Sequence, residues 1–118
     1  MSAVEKFIKI LEDNRNGKGT GIYSICSAQS TVLEASMLQA KHDESILLIE
    51  STSNQVDQFG GYTGMKPHDF VRYVYDIADK VGFNKDEILL GGDHLGPNTW
   101  QNENSESAMI NALKLIEE

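Results

Sequence analysis

The sequence predicts an α/β fold built on parallel strands, and three observations carry that prediction. Strand-like and helix-like segments alternate along the 118 residues. Two of the strand candidates, Ile46-Leu47-Leu48-Ile49 and Ile88-Leu89-Leu90, are continuously apolar rather than alternating, as in strands covered on both faces. Each strand is followed by a polar loop and then an amphipathic helix, the βαβ pattern of a parallel sheet with right-handed connections.

Taken in order, Val4, Phe7, Ile8 and Leu11 recur at helical spacing, and Asn14-Arg15-Asn16-Gly17 should end that helix. Residues 21–26 are rich in strand formers. Thr31 with Glu34 three residues on reads as a capping box, opening a helix whose face is Val32, Leu33, Ser36, Met37 and Ala40. Residues 46–50 form the second strand, with both faces expected to be buried. Pro67 suits a first helical position, Phe70, Val74, Ile77, Ala78 and Val81 make one face, and Gly82 is the stop signal. Residues 88–92 form the third strand. The last helix should start near Ser105 and bury Met109, Ala112, Leu113 and Ile116. The pattern runs to Glu118 with no stop signal, and three parallel strands leave two open apolar edges. Residues 1–118 are therefore expected to be the N-terminal part of a longer α/β domain, oligomeric through its sheet edges if it stands alone.

Composition narrows the function. Ten Lys and Arg against 18 Asp and Glu give a net charge of −8. No cationic surface for nucleic acid or for an acidic membrane is expected from that balance. One cysteine cannot form an intramolecular disulfide. No apolar run reaches the length of a signal peptide or a membrane span, so the expected compartment is the cytoplasm.

Functional residues of parallel α/β folds collect where strands end. Three polar loops occupy those places: residues 26–30, residues 50–64 and residues 93–98. Asp93-His94 is the sharpest pair, since a carboxylate can move a proton and an imidazole can bind a metal. A helix-capping Asp beside a solvent-facing His is the plainer reading. Ser27, Glu50, Asn54 and Gln55 are the candidate substrate-binding residues of the first two loops. Gly60-Gly61 either lets backbone N–H groups approach a phosphate or simply makes a tight turn. Gly17-Lys18-Gly19-Thr20-Gly21 lacks Walker spacing and precedes a strand, so it is no nucleotide loop. Cys26 reads as a small buried hydrophobe and not as a nucleophile. Trp100 and Tyr62 read as packing residues, and His42 and His68 as surface residues.

Three stretches resemble a known family. Residues 49–65 (IESTSNQVDQFGGYTGM), residues 90–98 (LGGDHLGPN) with Trp100-Gln101, and residues 22–28 (IYSICSA) are similar to the first three strand motifs of the tagatose-1,6-bisphosphate aldolase non-catalytic subunits, GatZ and KbaZ. Lys66 stands where relatives often carry a capping Thr. The resemblance implies a (β/α)8 TIM barrel of several hundred residues, of which this chain would be the first helix and three βα units. It implies kinship to class II ketose-bisphosphate aldolases, which use zinc to stabilise an enediolate. Asp93 then falls on their proton donor and His94 on one zinc ligand, while the other zinc-binding histidines would come from later strands.

The resemblance implies that the protein supports the activity and stability of a separate zinc-dependent class II catalytic subunit acting on a sugar phosphate in galactitol or N-acetylgalactosamine breakdown. Zinc would belong to the full-length protein or to the partner subunit, with tight binding by these 118 residues alone not expected. Two alternatives stand beside this reading. One is a direct sugar-phosphate enzyme, either an aldolase or the tagatose-6-phosphate kinase of an older family label. The other is an inactive structural fragment.

Overall fold

A computed structural model describes residues 1–118. Helix α1 (Ala3–Arg15) leads into strand β1 (Ser24–Cys26), helix α2 (Ser30–His42), strand β2 (Leu47–Ser51), helix α3 (Pro67–Val81), strand β3 (Ile88–Gly92) and helix α4 (Ser105–Glu117). Single 3-10 turns precede β3 at Lys85–Glu87 and follow it at Pro97–Trp100. The sheet has the order β1-β2-β3 and both pairings are parallel, as expected. Ile25 lies beside Ile49, and Ile49 beside Leu90, so one register runs across all three strands. The fold class is α/β, in the arrangement of the first three units of a (β/α)8 barrel. No helix is long and apolar enough to cross a membrane.

The core lies between the sheet and helices α2 and α3. Leu33, Met37 and Ala40 of α2 and Phe70, Val74, Ile77 and Ala78 of α3 pack on Leu47, Ile49 and Ile88. Burying each of the larger aliphatic side chains stabilises the fold by about 1.5–3 kcal/mol. Only this face of β2 is closed. Leu47, Ile49 and Ser51 are buried, whereas Leu48 and Glu50 between them are half-exposed. The expectation that both faces of β2 are buried is met on one side only within residues 1–118: α2 and α3 cover that side, and Leu48 and Glu50 on the other are half-exposed.

Several helix details differ from the sequence reading, each for a local reason. α1 opens with a capping box not visible as a hydrophobic pattern: the Ser2 hydroxyl accepts from the Glu5 N–H at 3.3 Å and the Glu5 carboxylate accepts from the Ser2 N–H at 2.7 Å. α2 is capped by Gln29 instead of Thr31, because the Gln29 side-chain oxygen reaches the Val32 N–H at 2.9 Å. α3 begins at Pro67 and ends at Gly82 as expected, and although Lys66 offers no side-chain acceptor, the Asp69 carboxylate accepts from the Lys66 N–H at 3.2 Å. α4 buries Ala108, Ala112 and Leu115, leaving Met109, Leu113 and Ile116 exposed. Its small alanines rest against the Pro97–Trp100 turn and not against the sheet, which rotates the buried face by one residue from the expected one. β1 is only three residues long because only Ser24, Ile25 and Cys26 find partners on β2.

Candidate functional site

Because all three strands run the same way, their following loops emerge together at the C-terminal end of the sheet. The period-2 alternation of a strand then decides which residues share a face. Ser24 and Cys26 of β1 stand beside Leu48 and Glu50 of β2, and Glu50 stands beside Gly91 of β3. These residues line the face that no helix covers. The Ser24 hydroxyl donates to the Glu50 carboxylate. Gly91 leaves room for Glu50: a β-carbon there would lie 3.5 Å from Glu50 Cγ.

Cys26 belongs to this group. The thiol is exposed, contrary to the expected small buried hydrophobe, because Ile25 takes the helix-facing position of this short strand. Its Sγ lies 4.0 Å from Gln55 Oε1. Loss of solvation, followed by the negative charges of Asp93 and Glu50, pushes its pKa above the ordinary thiol range. The Asp93 and Glu50 charges therefore act on the Cys26 thiol at the strand ends.

Asp93 continues the ladder one step past β3, its N–H donating to the Ser51 carbonyl at 2.9 Å. His94 then turns the chain with φ +52°. For a residue with a β-carbon this left-handed conformation costs about 1–2 kcal/mol. The His94 imidazole is 81% exposed and stands 3.5 Å from the Asp93 carboxylate. Beneath it, the Ser53 hydroxyl bonds the His94 carbonyl at 3.0 Å and lies 2.6 Å from the Thr99 hydroxyl. Asn54 Oδ1 lies 3.2 Å from the Thr99 hydroxyl. An open groove of about 700 Å³ runs along these two loops, lined by Thr52, Asn54, His94, Asn98, Thr99 and Trp100 among others. Trp100 packs its edge on Phe59 with ring centres 6.4 Å apart, while Tyr62 is exposed.

The sequence-predicted residues therefore divide. Glu50 and Asp93 share the uncovered face with Cys26, and Asn54 and His94 line the groove. Ser27 is engaged locally, its hydroxyl accepting from the Gln29 N–H at 3.1 Å. Gln55 turns inward: its side-chain oxygen accepts from the Thr52 N–H at 2.9 Å. Gly60 and Gly61 serve the tight turn. The Gly60 N–H donates to the Asp57 carbonyl at 2.9 Å and the Gly61 N–H to the Asp57 carboxylate at 3.1 Å, so neither is free for an anion. Ser53, Asp57 and Thr99 escaped sequence reading, since a buried hydroxyl or carboxylate in a polar loop looks like any surface residue. Cys26 had a signal, its two-residue spacing from Ser24.

No group of three or more His, Cys, Asp or Glu stands together as a metal site. Asp93 and His94 supply one carboxylate and one imidazole, short of the three protein ligands of a zinc catalytic centre. By themselves these residues do not make one.

Three parallel βα units with polar residues gathered at the strand C-termini define a protein of the parallel α/β barrel class. The chain belongs to the D-tagatose-1,6-bisphosphate aldolase subunit GatZ/KbaZ-like family, whose model matches residues 7–118. It is 50% identical over 109 residues to the D-tagatose-1,6-bisphosphate aldolase subunit GatZ of Escherichia coli K12, which covers 92% of this chain and 26% of that protein. The subunit of the same name from Shigella boydii is 50% identical over 107 residues, covering 91% of this chain and 26% of that protein. A crystal structure of a probable tagatose 6 phosphate kinase from Sinorhizobium meliloti 1021 superposes with a TM-score of 0.75 at 55% identity, over 78% of this chain and 24% of that one. The chain spans about a quarter of the length of the curated relatives it matches.

Proposed function

We propose that this chain contributes the first three βα units of a tagatose-1,6-bisphosphate aldolase subunit. That subunit supports the activity and stability of a zinc-dependent class II catalytic subunit in the cytoplasmic breakdown of galactitol or N-acetylgalactosamine. The single observation that carries the reading is the Asp93-His94 pair at the end of β3, in a chain half identical to proteins named as that subunit. Asp93 is the residue placed to hold or move a proton at its carboxylate, on the same uncovered face as Glu50. His94 offers one imidazole at the groove; a zinc centre would need further ligands from outside these 118 residues or from the partner. Asn54, Thr99 and Asn98 present amide and hydroxyl groups suited to a polyhydroxylated substrate. The test is an aldol-cleavage assay on the bisphosphate, using the catalytic subunit with and without the full-length protein carrying this chain. Higher activity and a longer half-life on heating with the protein present support the reading. Cleavage by this protein alone would favour the direct-enzyme alternative, and no effect on a class II catalytic subunit would overturn the proposal.

A kinase acting on tagatose 6-phosphate is the second reading, favoured by the name of the 55% identical solved structure. Against it, Gly17-Lys18-Gly19 lies between α1 and β1, at the opposite end of the strands from Asp93. ATP consumption dependent on the 6-phosphate would decide for the kinase.

A further inference from the structure

We propose that Ser53 is the positioning residue for His94: its buried hydroxyl holds the His94 carbonyl and so keeps that residue in the left-handed conformation in which it borders the groove. Ser53 is 1% exposed although it sits in a polar loop. Its Oγ donates to the His94 carbonyl at 3.0 Å and lies 2.6 Å from Thr99 Oγ1. Each hydroxyl carries one proton and can also accept. With the Ser53 proton on His94, Ser53 Oγ can accept the single Thr99 proton in place of Asn54 Oδ1, so a single small side chain ties the loop after β2 to the loop after β3.

The backbone on either side of His94 is also anchored. The Asp93 N–H is held by the Ser51 carbonyl at 2.9 Å. The Leu95 side chain lies so close over Gly92 that a β-carbon at 92 would come within 2.5 Å of Leu95 Cδ1. Between these anchors the chain must turn at His94, at a φ of +52° that a residue with a β-carbon adopts reluctantly. A conformation of this kind persists only where its surroundings over-determine it. The Ser53 hydroxyl is the side-chain group that bonds the peptide carbonyl of the turning residue itself. Truncating it would leave that carbonyl without its partner and release the turn.

The proposal rests on the reading of His94 as a site residue, but its test addresses the positioning alone, so either can fail while the other stands. In isotope-labelled protein the His94 Cα and carbonyl shifts report its backbone conformation. In Ser53→Ala these shifts should leave the left-handed range while the amide shifts of β2 and α3 stay in place. In a His94→Gly background the same truncation should leave residue 94 left-handed, because glycine adopts that conformation without strain. Should Ser53→Ala fail to fold, folding of the Ser53→Ala/His94→Gly double variant supports the proposal. A folded Ser53→Ala with unchanged His94 shifts overturns it, and so does failure of both variants to fold.

Discussion

Replacing Gly61 by Ala is expected to cost several times more stability than replacing Gly64, although both glycines hold left-handed backbone in the same loop, at φ +56° and +77°. A β-carbon at 61 would lie 2.4 Å from the Gln55 carbonyl oxygen, 2.5 Å from its carbon and 2.8 Å from the Val56 nitrogen. All three atoms are backbone, so none can swing aside. At 64 nothing stands within 4 Å. The shared component is the left-handed penalty of about 1–2 kcal/mol, offset by about 0.4–1 kcal/mol from the stiffer unfolded chain. Gly64→Ala should therefore destabilise by roughly 0.5–1 kcal/mol. Gly61→Ala adds overpacking of about 1–3 kcal/mol, for a total of roughly 2–4 kcal/mol. At about 4 °C per kcal/mol for a domain of this size, Tm should fall by roughly 8–16 °C against 2–4 °C. Urea and thermal melts followed by circular dichroism read both changes. Gly61→Ala should also part the Thr63 hydroxyl from the Gln55 carbonyl, now 2.6 Å away, and the Gly61 N–H from the Asp57 carboxylate, which keeps the Phe59 N–H. Equal losses at the two positions would refute the argument that backbone approach, and not the turn conformation, makes Gly61 necessary.

Four further outcomes follow from the same structure. His94→Gly removes a left-handed penalty of about 1–2 kcal/mol and adds about 0.5–1 kcal/mol of backbone entropy; the urea midpoint should rise slightly, and a clear fall would contradict the strain assigned to residue 94. Partial loss of solvation and the charges of Asp93 and Glu50 hold the exposed Cys26 thiol above its ordinary range, so alkylation should speed up only at higher pH than for a free thiol. Glu50→Gln removes one negative charge and should move that profile to lower pH; a profile that stays put would show that Glu50 does not act on the thiol. The Asp13 carboxylate, bonded by Lys18 at 2.7 Å and Lys9 at 2.6 Å, is held below its ordinary range, so its stabilisation is present above the unfolded value and lost as pH falls through the folded one. Acid titration of Asp13→Asn should then show a shallower loss of stability than the parent, and an identical curve would discount the pair. Finally, β1 and β3 each have an unpaired edge, so the 118 residues on their own should associate in light scattering, and a monodisperse monomer at high concentration would count against this.

Much of the site was legible from residues alone. Asp93 and Glu50 follow or end apolar runs, which places them at strand ends whatever the packing. Gly60-Gly61 left two readings open, and the Asp57 carbonyl and carboxylate, which occupy the Gly60 and Gly61 N–H groups, favour the turn. Ser53 was not legible at all, because its burial depends on Thr99 and His94, more than forty residues along the chain.

By itself the sequence determined the element order, the parallel α/β class, the stop at Gly82 and the position of the polar loops at the strand ends. Those features follow from local causes: the period of the apolar residues, turn residues and the backbone needs of Pro and Gly. Only the tertiary structure decided that α4 turns Ala108 and Leu115 inward in place of Met109, Leu113 and Ile116, and that Cys26 faces Glu50 and Asp93 and not the core. Burial is a property of which segments meet, and a strand of alternating or continuous apolar residues carries no record of which neighbours cover it.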